Sequence, residues 1–359
     1  MKKLFISLIA LPFLLASCGG NVKNAQTATE STSSETKVVE NKKVKMILDL
    51  DTGVDDAMAL AYALGHPNID LIGVTTVFGN VSRNTSINNT LALLDMFGRS
   101  DVPVYAGSDR PRGAKQAYAA NAIVENIHGK NGVGNVNIPQ SKREVAKGNA
   151  VDFMIASAEQ YGKDLYIVAT GPQTNMGDLV KKEPKIGDKV GKIVIMGGAL
   201  IVKGNMDELA EANIFNDPVA ANELFTSGTP LTMVGLDVTL RPTLTKADTQ
   251  KWRELGTKSG KAFADIVDFY IDFYLTTNLP GCALHDPLAV AVAIHPEYVT
   301  TLSLPMKVGV DKQNWGRTVA DTHRMNDPKE AYVKVAVDMQ VNEFVTDFNA
   351  ILTELFSKN

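Results

Sequence analysis

Along this chain the hydrophobic positions switch repeatedly between two rhythms. Short apolar, β-branched runs occur at 46–51, 71–77, 102–105, 165–169, 193–196 and 231–236. Segments 85–97, 151–161 and 218–225 instead place apolar residues every three to four positions, the spacing of one helix face. Alternation of this kind predicts βαβ units, and hence an α/β fold: a mainly parallel, doubly wound, Rossmann-like open sheet with helices on both faces. Further on, 261–275 and 286–294 read as helices, 304–310 with 316–320 as a hairpin, 331–337 as a strand and 342–356 as an amphipathic helix. No internal repeat interrupts the pattern.

The first residues follow neither rhythm. Met1-Lys2-Lys3 precedes a short apolar stretch ending at Leu14-Leu15, the layout of an export signal and too short for a spanning helix of about 20 apolar residues. Leu15-Ala16-Ser17-Cys18 resembles the lipobox of bacterial lipoproteins, which implies cleavage after residue 17, lipid on Cys18 and an exported chain anchored to a bacterial membrane. Residues 19–43 are rich in Ser, Thr, Asn, Lys and Glu and cannot bury enough surface to fold. With Cys18 they read as a tether, spanning on the order of 25–30 Å as a coil. Residues 44–359 are then expected to form a single catalytic domain. With Cys18 lipidated, Cys282 has no partner for a disulfide, so an exported domain would depend on its core.

Composition narrows the partners. A formal charge of -4, from 36 basic and 40 acidic residues, supplies no overall attraction to nucleic acid. A small-molecule partner is expected instead. Polar segments follow each of five expected strands: 51–56, 79–80, 170–175, 197–198 and Asp237. In open α/β sheets ligands bind outside the carboxyl ends of the strands, so these segments are expected to converge on one cleft.

The run Asp49-Leu50-Asp51-Thr52-Gly53-Val54-Asp55-Asp56 packs four carboxylates into eight residues. A period of two puts Asp49 and Asp51 on one strand face, Gly53 permits a sharp turn, and Asp55 and Asp56 open a helix. Like charges this close raise each other's pKa unless something positive offsets them, and a hard cation such as Ca²⁺ or Mg²⁺ does so better than a helix end. The bland alternative is a capped turn with solvated carboxylates. Two further segments carry candidate chemistry. The loop 204–213 offers amides and carboxylates suited to vicinal hydroxyls, although loops are polar anyway. In His285-Asp286-Pro287, Asp286 suits a metal or a helix cap, and His285 suits proton transfer.

Together these residues, with Phe78-Gly79-Asn80, Ile127-His128-Gly129, Thr170 to Asn175, Met196-Gly197-Gly198 and residues 316–321, resemble the inosine/uridine-preferring nucleoside hydrolases. The resemblance runs in order over nearly all of residues 44–359. It implies Ca²⁺-dependent hydrolysis of ribonucleosides to ribose and free base in nucleoside salvage, by a homodimer or homotetramer. By position, Asp51, Asp56, Asp286 and the Thr170 carbonyl would hold Ca²⁺, and Asp55 would be the general base. Asn80, Asn205, Glu211 and Asn213 would grip ribose, Met196 would line the pocket, and His128 and His285 would lie near the base. An oxocarbenium-like transition state needs such groups, with a proton for the departing base expected from His285. The chain departs from the family in having Thr52 where Pro is common, and Ala212 where an aromatic would pack beside ribose. Tyr270 and Tyr274 stay outside the expected site, because packing of an amphipathic helix explains them equally well.

Two rivals are weighed. Asp49-Leu50-Asp51-Thr52 also resembles the nucleophile loop of haloacid-dehalogenase-like phosphohydrolases, against which stand Gly53 and the Asp55-Asp56 pair. A lipid-tethered protein that binds nucleosides without turnover would keep the ligand contacts and lack a base at Asp55.

Overall fold

The computed structural model describes residues 43–330 and 332–358. The expected signal segment 1–17, the lipid-bearing Cys18 and the tether up to residue 42 lie outside the described residues. The chain begins β1 (Val44–Leu50), α1 (Val54–Gly65), β2 (Ile69–Thr76), α2 (Arg83–Met96), β3 (Val104–Ala106), α3 (Ala122–His128), α4 (Ala150–Tyr161), β4 (Leu165–Ala169), α5 (Thr174–Lys182), α6 (Ile186–Lys189) and β5 (Lys192–Met196). It continues α7 (Ala212–Asn216), α8 (Pro218–Thr226), β6 (Leu231–Val234), α9 (Leu236–Thr239), β7 (Thr243–Leu244), α10 (Lys246–Glu254), α11 (Lys258–Leu275), β8 (Cys282–Ala283) and α12 (His285–Ile294). The last elements are β9 (Val299–Leu304), β10 (Met306–Val308), β11 (Thr318–Ala320), β12 (Val333–Met339) and α13 (Val341–Ser357).

Eight strands form one sheet in the order β3-β2-β1-β4-β5-β6-β12-β9. All neighbours pair in parallel except β12 with β9. Strand β1 is buried from Met46 to Leu50, and its side chains alternate between two cores. Met46, Leu48 and Leu50 join α1, α2 and α11–α13 on one face, whereas Ile47 packs with α4, α5 and α8 on the other. Each fully buried aliphatic side chain of this kind contributes roughly 1.5–3 kcal/mol. The mainly parallel, two-sided architecture expected from the pattern is what the chain adopts.

The differences are local and have physical reasons. The expected strand 231–236 stops at Val234, because Gly235 caps helix α9. The hairpin forms only between Met306–Val308 and Thr318–Ala320, while Leu304 closes β9, a strand not foreseen. Strand β9 is an edge strand with no buried residue, and its sequence Val-Thr-Thr-Leu-Ser-Leu lacks the strict apolar-polar alternation that marks a half-buried strand.

Strand order reverses beside β1, whose chain leads to β2 on one side while β4 pairs on the other. Ligands bind at such a switch point, beyond the carboxyl ends of the strands. Register places Asp49 level with Thr75 on β2 and Ala169 on β4, so the segments after all three strands meet there.

Candidate active site

The β1–α1 junction brings Asp51, Asp55 and Asp56 inside the protein together. Gly53, the N-cap of α1, has φ -88 and ψ -164, a backbone open to any residue. A Cβ there would instead lie 2.6 Å from His128 Nδ1 and 2.8 Å from Asn80 Nδ2. Close approach, rather than the sharp turn expected, is why glycine stands here. Gly79 is needed on both counts, since its φ is +154 and a Cβ would sit 2.0 Å from Asp51 Oδ2.

Asp51 Oδ2 accepts from the Asn80 backbone N–H at 2.6 Å. Asn80 Nδ2 then reaches Asp56 Oδ2 at 3.0 Å and Asp51 Oδ1 at 3.4 Å. Asp56 accepts as well from Gly53 N–H at 3.0 Å and from the Thr170 hydroxyl at 2.7 Å. Asp286, at the start of α12, does not cap that helix, because Leu284 occupies the cap position. Its Oδ2 is buried without a hydrogen-bond partner. Carboxylate oxygens of Asp55, Asp56 and Asp286 lie within 4.8 Å of one another.

Such crowding is costly in the absence of positive charge. Burial first, and the charges of Asp55, Asp56, Asp51 and Glu211 second, push the Asp286 carboxyl well above its usual range. Asp51 rises well above it too, through burial and the Asp56 charge, while burial lifts Asp55 to about 6. Buried oxygens crowded in this way, one of them orphaned, would suit a hard divalent cation. Asp51, Asp56 and Asp286 are the ligands expected from the sequence, whereas the oxygens that converge within 4.8 Å are those of Asp55, Asp56 and Asp286. The Thr170 carbonyl faces Asn213, accepting from its Nδ2 at 2.6 Å, while the Thr170 hydroxyl supports Asp56.

Above the carboxylates lies a cavity of about 430 Å³, lined by Asp55, Asn80, His128, Thr170, Met196, Asn205, Glu211, Asn213 and His285 among others. Asp51, Asp56 and Asp286 are not on its wall, so of these four carboxylates Asp55 is the one that borders the cavity. Glu211 caps α7, accepting from Asn213 N–H at 2.9 Å, Ile214 N–H at 3.1 Å and Gly198 N–H at 3.0 Å. Burial still pushes it up to about 7. Asn213 Nδ2 also reaches the Met196 carbonyl at 3.2 Å, and Asn205 Oδ1 accepts from Ala212 N–H at 2.9 Å. The bare Ala212 forms part of the wall itself. Thr52, buried, bonds the hydroxyls of Thr90 at 2.7 Å and Ser86 at 3.1 Å, so the turn is held without proline.

The far wall carries the groups that sequence reading missed. Tyr270 donates to Asp55 Oδ2 at 3.2 Å and lies 3.3 Å from the Tyr274 hydroxyl, which lies 2.7 Å from His285 Nε2. His285 Nδ1 meets the Thr239 hydroxyl at 2.7 Å. Asp55, Tyr270, Tyr274, His285 and Thr239 thus form one line of hydrogen bonds that runs along the cavity wall and ends in the core at the buried Thr239 hydroxyl. The four-residue spacing of Tyr270 and Tyr274, one helical turn, was the signal available for it. Burial holds both His128 and His285 down to about 4, hence neutral at pH 7. His128 Nδ1 accepts from Val54 N–H at 3.2 Å, and its ring packs 5.3 Å from that of Tyr270.

Asp49 behaves differently. Its Oδ1 accepts from Thr75 Oγ1 at 2.6 Å and Asn175 Nδ2 at 2.8 Å, and its side chain has no exposure at all. A nucleophile must reach its substrate, so the phosphohydrolase rival fails at this residue.

Fold and site together define an α/β enzyme that binds a small molecule over a carboxylate cluster. Residues 46–346 match the inosine-uridine preferring nucleoside hydrolase family. Uridine nucleosidase 1 of Arabidopsis thaliana is 33% identical over 308 residues, 86% of this chain and 87% of the relative. The pyrimidine-specific ribonucleoside hydrolase RihA of Salmonella typhi is 35% identical over 301 residues, 82% of this chain and 94% of the relative. A solved structure, the purine-preferring ribonucleoside hydrolase from Gardnerella vaginalis, superposes with a TM-score of 0.86 at 49% identity, covering 88% of this chain and 100% of that one. The chain belongs to the inosine-uridine preferring nucleoside hydrolase family and is a hydrolase acting on N-glycosyl bonds.

Proposed function

We propose that the protein hydrolyses ribonucleosides, purine or pyrimidine, to ribose and free base in a Ca²⁺-dependent reaction that serves nucleoside salvage. The observation carrying this reading is the arrangement around the cavity: the clustered carboxylates of Asp55, Asp56 and Asp286, of which Asp55 borders the cavity, and a hydrogen-bonded line of hydroxyls along its wall. Bound there, Ca²⁺ would neutralise the carboxylates and acidify a coordinated water.

The chain's own residues supply the rest. Asp55, facing the cavity, takes the proton of the attacking water. Asn205 spends Oδ1 on Ala212 and so offers Nδ2 to a ribose hydroxyl, while Asn213 spends Nδ2 and offers Oδ1. Asn80 and Glu211 complete the ribose wall, and His128 closes it beside the base. Carboxylate and amide oxygens favour the cationic sugar of the transition state. The proton that Asp55 takes from the water returns to the departing base along the Tyr270 and Tyr274 hydroxyls, and neutral His285, its Nε2 2.7 Å from the Tyr274 hydroxyl, orients that last donor.

Purified protein lacking the first 43 residues should release ribose from at least one of inosine, uridine and cytidine when Ca²⁺ is present. Chelation should abolish release, and Asp55→Asn should lower kcat by roughly 10²–10⁴-fold. No ribose from any of them would leave the nucleoside-binding rival standing. The proposal extends to an exported homo-oligomer anchored through lipid on Cys18. If so, Cys18→Ser shifts the enzyme from the membrane fraction to the soluble fraction; an unchanged distribution rejects the anchor.

A further inference from the structure

Helices α1 and α12 both start at the carboxylate cluster, the first with Asp55 and Asp56 and the second with His285 and Asp286. They pack side by side and therefore end together. Each is closed by a histidine, His66 on α1 and His295 on α12. From helix lengths of 12 and 10 residues, this second meeting point lies roughly 15–18 Å from the first.

Helix α13 adds a carboxylate there. Ligating atoms of His66, His295 and Asp347 lie within 4.8 Å of one another. The two Nε2 atoms are 3.3 Å apart, a hydrogen bond at the long end of the range. A tetrahedral Zn²⁺ with bonds of about 2.0–2.1 Å sets two imidazole nitrogens about 3.3–3.4 Å apart. The surroundings suit a cation too. His295 Nδ1 lies 2.9 Å from Glu297 Oε1, the carboxylate–imidazole contact that orients metal-binding histidines. Asp347 is fixed by the hydroxyls of Tyr62 and Tyr298. Two helix carboxyl ends add partial negative charge. His66 is buried while His295 and Asp347 are partly exposed, so water reaches the open side.

We propose that His66, His295 and Asp347 form a second metal site, separate from the catalytic one, that takes a borderline divalent transition ion such as Zn²⁺ and ties α13 to α1 and α12. Two imidazoles and one carboxylate leave a fourth position to water, and this nitrogen-rich set selects Zn²⁺ or Co²⁺ over Ca²⁺. Without metal, His66 Nε2–H donates to His295 Nε2 while His66 Nδ1 accepts from Asn68 N–H at 3.2 Å. Metal binding moves the His66 proton to Nδ1 and gives up that one backbone contact.

The test uses untagged full-length protein in excess Ca²⁺, titrated with Zn²⁺ by calorimetry and with Co²⁺ by visible absorption. The expected result is one equivalent of Zn²⁺, an intense tetrahedral Co²⁺ spectrum and a raised Tm. His66→Gln and His295→Gln should each weaken Zn²⁺ binding on the order of 100-fold or more while keeping nucleoside hydrolysis within about twofold of wild type, a control on folding. Asp286→Asn should leave Zn²⁺ binding intact. A weak octahedral Co²⁺ spectrum in the wild type, or Zn²⁺ binding indifferent to both histidine variants or lost in Asp286→Asn, would overturn the site. The wild-type spectrum decides even if a variant fails to fold.

Discussion

Residue type alone does not separate Asp49 from Asp55, yet their surroundings do. Both are lifted to about 6 by burial, but Asp49 is sealed in the core, its Oδ1 held by Thr75 and Asn175 and its Oδ2 buried without a partner, whereas Asp55 borders the cavity. A similar division applies to the tyrosines. Tyr274 fills core space like any aromatic, and its hydroxyl also stands 2.7 Å from His285 Nε2. Removing that oxygen leaves the packing and cuts the line. Tyr274→Phe is therefore expected to lower kcat by roughly 10²-fold with KM almost unchanged. Steady-state rates on inosine and uridine check this, and a riboside whose leaving group needs no proton should recover most of the loss. Equal losses on both kinds of substrate would point to a packing defect instead.

Among the elements, the β1–α1 junction is the one whose chemistry was plainest in the sequence, because its carboxylates are contiguous. The βαβ alternation was equally legible, since a strand buried on both faces must be apolar throughout. What stayed hidden were contacts made across long chain separations. Tyr270 and Asp55 lie 215 residues apart, and no local pattern announces their meeting. Asp237, foreseen only as a polar end of a strand, accepts from Leu200 N–H at 2.9 Å and Ile201 N–H at 2.8 Å and so fixes the start of the loop carrying Asn205. Gly53 shows how little a turn residue reveals of its reason. Gly53→Ala meets no backbone penalty, yet its methyl would press on His128 and Asn80. Overpacking of this kind costs about 1–3 kcal/mol. A lowered Tm should appear together with weakened Ca²⁺ binding, measured by calorimetry; a normal Ca²⁺ affinity would show that the junction yields without moving Asp56.

For the whole molecule, the carboxylate cluster makes stability depend on pH and cation together. Asp55 and Glu211 have folded-state pKa values raised to about 6 and about 7, above those of an unfolded chain. Raised acids favour the folded state at low pH, and that contribution is lost as pH rises through the folded pKa. The buried histidines are depressed to about 4, so above pH of about 6.5 they are neutral folded or unfolded and add no slope. From about pH 6.5 upward cation-free protein should therefore lose Tm, first as Glu211 ionises and then as the more strongly raised Asp51 and Asp286 do, and Ca²⁺ should restore it most at the upper end. Calorimetric scans with and without chelator check the sign; a Tm that rises over this window without Ca²⁺ would contradict it.

The shared origin of α1 and α12 has one more consequence. The two helices pack together and carry fully buried alanines, Ala57 and Ala61 on α1 and Ala289 and Ala293 on α12, and close-packed interiors transmit strain rather than absorb it. Asp56 rides on one helix and Asp286 on the other, so a shift of either helix along its axis would change the gap between the two carboxyls. A cation held between them would then report helix register, through substitutions that touch neither ion nor nucleoside.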